Sequence, residues 1–153
     1  MANVGAMFRA ADAARLAQLY LIGGTPHPAT ERARLDKTAL GSLESVPWTY
    51  AVSPEPVLAG LRARGYQILA LEVAPDSRPL GALTAADFPL ALLVGHETAG
   101  LPAEVVAACD GVVTLESWGR KQSLNVALAF GVAMLHCARL WAEHVGCAPG
   151  GEV

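Results

Sequence analysis

Short, continuous apolar runs recur along this chain, and each is separated from the next by a polar turn or an amphipathic segment. A short apolar run that ends at glycine, proline or polar residues is typical of a strand buried on both faces of a sheet. The pattern predicts strands at residues 19–22, 48–50, 66–73, 90–94 and 112–115.

Helical patterns lie between these predicted strands. Asn3 is positioned to cap a helix over residues 4–14, because its side chain can accept hydrogen bonds from the first helical turn. Residues 31–40 carry a short polar helical pattern that ends at Gly41, and a further short helix is predicted over residues 102–109.

Two later helices carry recognisable starts. Ser53 is expected to cap a helix with Pro54 in its first turn and Gly65 at its end. Ser123 is the expected cap of a second helix within the segment 118–141, whose run after Ser123 is apolar on almost every side. A helix that is apolar on every face must be buried on every face. Taken alone, this segment favours a capped core helix. The alternative is that the polar loop before the helix holds a ligand next to a subunit interface.

Apolar strands separated by helices predict an α/β domain with a mostly parallel sheet and helices on both faces. Ligands bind beyond the carboxyl ends of the strands in such sheets. The loops expected at that edge include residues 95–100 and residues 116–122. We expect one domain over residues 1–145, followed by a short tail over residues 146–153.

The composition narrows the function classes. The chain has 153 residues, a formal net charge of −3 and three cysteines without a CxxC pair. An odd number of scattered cysteines argues against a zinc site. Because no signal peptide is expected either, we expect a cytoplasmic protein with reduced thiols. Nucleic-acid binders are usually basic, so any RNA contact must depend on a local patch. Asn125, His136 and Arg139 make the apolar C-terminal helix a core or interface helix rather than a membrane span.

Three clusters carry candidate chemistry: Asn3 to Arg9 reads N-x-G-x-x-x-R, residues 95–101 read G-x-E-x-x-G-L, and residues 119–126 read G-x-x-x-S-L-N-V. Each cluster has a structural alternative when taken singly. The asparagine can be a helix cap, the glutamate can accept from its own turn, and the glycines can serve backbone geometry.

Together and in this order, the three clusters resemble the motifs of the SpoU/TrmH family of the SPOUT superfamily, over almost the whole chain. The resemblance implies an RNA ribose 2′-O-methyltransferase that uses S-adenosylmethionine as methyl donor and acts on tRNA or rRNA. It also implies a homodimer and an α/β knot, in which the C-terminal chain is threaded into a trefoil. Knots are rare enough that periodicity alone does not predict them.

The resemblance assigns the site residue by residue. The donor would be held mainly by the loops that follow Leu71, Gly95 and Leu115. The residues that the resemblance places in or beside the donor pocket are Leu71, Gly95, Glu97, Leu115, Ser117, Gly119, Ser123 and Leu124. The residues that it places at the catalytic centre are Asn3, Arg9, Glu97, Ser123 and Asn125. Guanidinium is a poor base, so we interpret Arg9 as a phosphate or oxyanion clamp.

The chain departs from the family pattern at two places that the structure can address. The family often has glycine where this chain has Arg15, and since arginine adopts positive φ less cheaply, we expect a different turn there. The family also has a strand before its first motif, so we expect the first strand of this sheet to be missing or truncated.

Basic residues supply the candidate RNA contacts. They are Arg9, Arg32, Arg34, Lys37, Arg120 and Lys121. The group from Arg32 to Lys37 is equally well explained as a solvated helix face. Two other functions therefore stay open: a knotted RNA-binding module without turnover, and an enzyme of the same fold that methylates a base. The motif matches favour the ribose methyltransferase.

Overall fold

A computed structural model describes residues 1–120 and 123–147 as an α/β domain. The helices of the described residues are Ala2–Ala13 (α1), Pro28–Ala39 (α2), Ser42–Ser45 (α3), Glu55–Ala63 (α4), Ala103–Ala107 (α5) and Val126–Val145 (α6). The strands are Leu19–Ile22 (β1), Trp48–Ala51 (β2), Gln67–Leu71 (β3), Arg78–Pro79 (β4), Leu90–Leu93 (β5) and Gly111–Thr114 (β6). Every predicted strand is present, with ends that differ by a few residues at most.

The strands form two sheets, one in the order β2-β1 and one in the order β4-β6-β3-β5. All strand pairs are parallel, which confirms the predicted sheet type. The last strand, β6, lies between β3 and β4, which precede it in the chain. The chain between β4 and β5 contains two 3₁₀ turns, Leu80–Ala82 and Ala85–Asp87.

Both sheets lie in one layer, because the same two hydrophobic clusters cover them. On one face Leu19 and Leu21 of β1 join Leu69 and Leu71 of β3 in the main core. On the other face Tyr20 of β1 packs with the α4 cluster, as do residues of β3 and β5. Alternate residues of each strand thus face the same helices in both sheets, as expected for a sheet covered on both sides.

The layer is interrupted between β1 and β5. Each is the edge strand of its own sheet, and within the described residues the two strands are not paired with each other. An additional strand would pair with the backbone groups along such edges. The missing first strand stays a prediction, and this break is where it would lie.

The first helix owes its tight packing to Gly5. A Cβ at this position would lie 2.0 Å from Thr38 Oγ1 and 2.7 Å from the carbonyl oxygen of Leu35 on α2. Only glycine allows α1 and α2 to approach this closely. The glycine of the first motif therefore has a packing role, and it fixes where the rest of α1 lies.

The structure corrects the three predicted N-caps. Asn3 lies inside the first turn of α1, which begins at Ala2, and its side chain contacts another motif instead of capping the helix. Ser53 makes no capping hydrogen bond, and Pro54 is the N-cap residue of α4. Asn125, rather than Ser123, caps α6, because its Oδ1 accepts from the N–H groups of Ala127 and Leu128.

The predicted change of turn at Arg15 is also wrong. Arg15 has φ of +50°, so it adopts the left-handed conformation that the family obtains from glycine. Its N–H donates to the carbonyl oxygen of Asp12, and the N–H of Leu16 donates to that of Ala11. These bonds close the end of α1 and offset the cost of the strained arginine.

The long helix α6 is buried on one face only. Phe130, Ala133, Met134 and Cys137 lie in the core, and α6 packs against α1. The expectation that every face is buried therefore fails for the single chain, which leaves apolar side chains of α6 exposed. Among the described helices, α6 has the length and composition to cross a bilayer. These two properties are weak evidence for a membrane span, because one face of α6 lies in the core.

Candidate active site

Three of the loops predicted to hold a ligand lie side by side at one edge of the sheet. Ala70 pairs with Leu93, and Leu71 pairs with Val113, so β3, β5 and β6 end at the same level. The chain then leaves this edge through the loops that follow Leu71, Leu93 and Thr114. This is the carboxyl edge at which ligands bind to parallel sheets.

The loop after β5 folds back on itself as a tight hairpin. His96 and Gly100 exchange two backbone hydrogen bonds, of 3.1 Å and 2.9 Å. Gly95 lies against the Gly100–Leu101 peptide, and a Cβ at Gly95 would come within 2.2 Å of the Gly100 carbonyl carbon. A side chain at position 95 would push the hairpin open, so the glycine is needed for the close approach.

The hairpin carries Glu97 to the meeting point of the three motifs. Asn3 Nδ2 donates to Glu97 Oε2 at 2.7 Å, and Asn125 Nδ2 donates to Glu97 Oε1 at 2.6 Å. Asn125 Nδ2 also lies 3.2 Å from Asn3 Oδ1, to which it donates. Residues separated by as many as 122 positions in sequence thus form one polar cluster, which we call the amide–carboxylate cluster.

The hydrogen bonds of this cluster orient its members. Both oxygens of Glu97 accept hydrogen bonds from amides that are themselves held on helices α1 and α6. Glu97 is therefore arranged to orient its neighbours, because each of its oxygens accepts from an amide of the protein.

The loop before α6 contains the remaining predicted donor residues. Leu115 is half-buried, whereas Ser117, Gly119, Ser123 and Leu124 are exposed. Ser123 takes no part in the amide–carboxylate cluster. Gly119 has no heavy atom within 4 Å of the position that a Cβ would occupy, so the chain is open there.

Arg9 lies apart from the amide–carboxylate cluster. It is exposed on α1 and lines a groove of about 630 Å³ between α1 and the turn that joins α2 to α3. Asp12, Gly41 and Ser45 line the same groove, and Ser45 Oγ donates to Asp12 Oδ1. Of the predicted catalytic set, Asn3, Glu97 and Asn125 form the cluster, Arg9 lines the groove, and Ser123 belongs to neither in the single chain.

The candidate RNA contacts differ in their partners. Arg32 pairs with Glu44 at 2.7 Å, and Arg34 lies 3.5 Å from Glu31. These exposed pairs lower the charge that the helix α2 presents to an anion. Lys37 and Arg120 are exposed. Lys121 lies outside the described residues, as do Gln122 and the end of the tail.

Sequence reasoning missed Glu72. It follows β3 directly, and its Oε1 accepts from the N–H of Leu101 at 2.8 Å. An acidic residue at the carboxyl end of a buried parallel strand was the signal that could have identified it. The described residues contain no group of three or more His, Cys, Asp or Glu side chains that could hold a metal ion.

Comparison with known sequences identifies the family. The sequence model of the SpoU rRNA Methylase family matches residues 1–135. The 23S rRNA (guanosine-2′-O-)-methyltransferase RlmB of a Burkholderia species is 32% identical over 137 residues, which cover 90% of this chain and 54% of that protein. The chain therefore spans about half the length of this curated relative.

Solved structures agree with the sequence match. An AdoMet-bound rRNA methyltransferase from Sinorhizobium meliloti superposes with a TM-score of 0.80 at 30% identity, covering 90% of this chain and 51% of that one. The A. aeolicus TrmH/SpoU tRNA modifying enzyme has a TM-score of 0.80 at 27% identity, covering 99% of this chain and 75% of that one. The fold, the three motifs and the match over residues 1–135 together show that this chain belongs to the SpoU rRNA Methylase family.

Proposed function

We propose that the chain is an RNA ribose 2′-O-methyltransferase domain that uses S-adenosylmethionine and acts on tRNA or rRNA. The observation that carries this proposal is the amide–carboxylate cluster, which joins the three motifs at the carboxyl edge of the sheet. The names of the relatives, which act on 23S rRNA or modify tRNA, support the same reaction.

The residues at the sheet edge fit a donor of this kind. Leu71 and Leu115 bring backbone carbonyls and apolar side chains to the edge, and carbonyl oxygens suit a sulfonium cation. Gly119 leaves open space, and Leu124 adds an exposed apolar side chain close to α6. S-adenosylmethionine, bound there, would supply the activated methyl group. Gly95, Glu97, Ser117 and Ser123 would complete the pocket.

Arg9 is proposed to position the RNA. A guanidinium group stays charged at neutral pH, so it binds phosphate or a developing oxyanion and does not take up the proton of the hydroxyl. The groove beside Arg9 is wide enough to receive part of a nucleotide. Asn3, Glu97, Ser123 and Asn125 would hold the rest of the site in place. A 2′-hydroxyl acceptor restricts the substrate to RNA.

The remaining RNA contacts are proposed at exposed basic residues. Lys37 and Arg120 offer exposed charge, and Lys121 would add to it. Arg32 and Arg34 could exchange their carboxylate partners for phosphates, because exposed ion pairs are worth little. The formal net charge of −3 makes such a local patch necessary.

A homodimer and a trefoil knot belong to the proposal. Leu128, Val132 and Leu135 form an exposed apolar stripe on α6, with exposed fractions of 62%, 50% and 51%. Their spacing puts them on one helix face, and a second copy of this chain would cover it. The position of β6 between β3 and β4 supports the threading of the C-terminal segment.

The domain is proposed to span residues 1–145, with a tail over residues 146–153. We propose that its sheet accommodates a further strand at the break between β1 and β5. A cytoplasmic location is proposed from the rRNA and tRNA substrates named for the relatives. No metal takes part in the proposed reaction.

The second candidate is a knotted RNA-binding module without turnover. The separation of Arg9 from the amide–carboxylate cluster in the single chain favours it, as does the negative net charge. This candidate predicts RNA binding that does not change in the variant Arg9→Ala. The proposed enzyme predicts that the same variant loses methyl transfer.

Two measurements test the proposed function. Calorimetry should detect binding of S-adenosylmethionine to the purified protein, and incubation with labelled donor should transfer the methyl group to bulk RNA. Arg9→Ala should lower the transfer rate at least about a hundredfold, as for the loss of a charged group that acts in the transition state. Donor binding without transfer by the wild type would favour the RNA-binding module. The absence of both would exclude the methyltransferase.

A further inference from the structure

Glu72 connects the three loops at which the proposed donor would bind. Its backbone N–H donates to the carbonyl oxygen of Val113 in β6, at 3.0 Å. Its carboxylate accepts from the N–H of Leu101, at the end of the hairpin that follows β5. Glu72 itself is the first residue after β3. One half-buried residue therefore connects the end of β3 with β6 through its backbone and with the hairpin after β5 through its side chain.

The peptide between Gly100 and Leu101 is held from two sides. The α-carbon of Gly95 packs against it, and the carboxylate of Glu72 binds its N–H group. Gly100 has φ of +67°, and a Cβ there would lie 3.0 Å from Glu72 Oε1. The glycine thus serves both the left-handed backbone and the approach of the carboxylate.

The contact continues to the amide–carboxylate cluster. The hairpin that ends at Leu101 carries Glu97 at its tip, and Glu97 accepts hydrogen bonds from Asn3 and Asn125. Any movement of the hairpin base would displace Glu97 relative to α1 and α6. A chain of hydrogen bonds and one short loop thus connects the end of β3 with the motif residues.

We propose that Glu72 is a positioning residue for the methyl-donor site, which acts by holding the hairpin of residues 95–101, and Glu97 with it, against the ends of β3 and β6. This inference rests on the proposed function. Glu72 is not a catalytic residue in this account, because its observed partner is a backbone N–H group of the protein.

Substitutions at Glu72 separate its possible roles. Glu72→Ala removes the acceptor and leaves the Leu101 N–H group unpaired, which should raise the KM for S-adenosylmethionine about tenfold or more. Glu72→Gln keeps an oxygen at the same distance along the side chain. Its affinity for the donor should therefore stay within about threefold of that of the wild type. A small loss is expected because a neutral acceptor binds the N–H group more weakly than a charged one.

Gly100→Ala tests the same contact from the other partner. The added methyl group meets Glu72 Oε1 and strains the backbone, so donor binding should weaken. The effects of Glu72→Ala and Gly100→Ala should not add in the double variant, because both disturb one contact. Glu104→Ala on the first turn of α5 is the matched control, and it should leave donor and RNA parameters unchanged.

The test measures donor affinity by calorimetry, the KM values for donor and RNA, the melting temperature, and hydrogen exchange at the Leu101 amide. The inference predicts that Glu72→Ala weakens donor binding and speeds exchange at Leu101. The KM for RNA should stay within about twofold of the wild type, and Glu72→Gln should restore donor binding. A merely structural role would change all parameters together with the melting temperature.

Three results would overturn the inference. The first is unchanged donor affinity in Glu72→Ala, and the second is a uniform loss in all parameters that follows the melting temperature. The third concerns the case in which Glu72→Ala does not fold. In that case, a Gly100→Ala variant that binds the donor as tightly as the wild type would overturn the inference. Failure of the wild type to bind the donor would instead overturn the proposed function, and this inference with it.

Discussion

Asn125 combines two tasks that usually belong to different residues. Its Oδ1 accepts from the N–H groups of Ala127 and Leu128 and so starts α6, while its Nδ2 donates to Glu97 and to Asn3. The amide is suited to both tasks because it carries an acceptor and donors on one planar group. A residue with acceptors alone could cap the helix but could not bind the carboxylate.

The substitutions Asn125→Asp and Asn125→Ala separate these tasks. Asn125→Asp keeps a capping oxygen and brings a second carboxylate against Glu97, so methyl transfer should fall as far as in Asn125→Ala. Asn125→Ala should also lower the free energy of unfolding by about 1–2 kcal/mol, through the lost cap. Urea unfolding and labelled methyl transfer, measured on both variants, check this expectation. An active Asn125→Asp variant would contradict the assigned role.

At the scale of single residues, the sequence predicted which residues form the site, but it did not predict the role of each. The order of the motifs named Asn3, Glu97 and Asn125, and the structure brings all three together. The rules for helix caps consider only neighbouring residues, and they assigned the caps to Asn3 and Ser123. Such rules do not include partners that lie far away in sequence, such as Glu97 for Asn3. Glu72 was missed for the same reason: its partner, Leu101, is 29 residues away.

At the scale of elements, the segment between β4 and β5 is organised by one buried acid. Arg78 donates through Nη1 to Asp87 Oδ1 at 2.7 Å and through Nη2 to Asp87 Oδ2 at 3.0 Å. Thr84 adds a backbone donor to Oδ2 at 2.7 Å. The hydrogen bond from Arg78 is the main reason why the pKa of Asp87 lies below its ordinary value. This segment leads directly into β5 and the hairpin.

Asp87→Asn should lower the free energy of unfolding at neutral pH by about 1–3 kcal/mol, because an ionic acceptor with several donors is lost. A carboxylate whose pKa is lowered by folding stabilises the fold above its ordinary pKa, and this contribution is lost as the pH falls through the lower value. The difference between the wild type and Asp87→Asn should therefore shrink below about pH 4. Chemical denaturation from pH 3 to pH 7 measures it.

Glu143→Gln is the matched control for this experiment. Glu143 pairs with Arg139 at 2.8 Å on the exposed face of α6, and both side chains are more than half exposed. Such a pair is worth less than about 1 kcal/mol. A loss in Glu143→Gln as large as that in Asp87→Asn would contradict the special role of the buried acid.

The elements themselves were largely predictable. Continuous apolar runs predicted β1, β3, β5 and β6, since a strand covered on both faces leaves a simple pattern. The strand β2 was predicted from a shorter run, and its Thr49 and Tyr50 are exposed. The short strand β4, at Arg78–Pro79, carries no such pattern and was not predicted. Arg15 shows the limit of conformational preference, because the hydrogen bonds at the end of α1 outweigh the cost of its positive φ.

At the scale of the whole molecule, the apolar stripe on α6 supports the proposed dimer. The sequence predicted a helix buried on all sides, and the single chain covers only one of them. Composition cannot distinguish a face covered within the chain from a face covered by a partner. The proposed knot is likewise not predictable from local patterns, because a knot is a property of the path of the complete chain.

Val132→Glu should convert the proposed dimer into a monomer, because it places a charge in the centre of the apolar stripe. Analytical ultracentrifugation should show a dissociation constant raised at least about a hundredfold. Val52→Glu, at a position that is 81% exposed and distant in sequence from α6, should leave the association state unchanged. A monomeric wild type would exclude the proposed dimer.

The central claim is that the protein methylates a ribose 2′-hydroxyl of RNA. The most direct measurement is mass spectrometry of the nucleosides obtained by digesting RNA that was treated with the wild-type protein and isotope-labelled S-adenosylmethionine. The account predicts a labelled 2′-O-methylnucleoside, which is absent when Arg9→Ala replaces the wild type. A label on the base, or no labelled nucleoside despite donor binding, would contradict it.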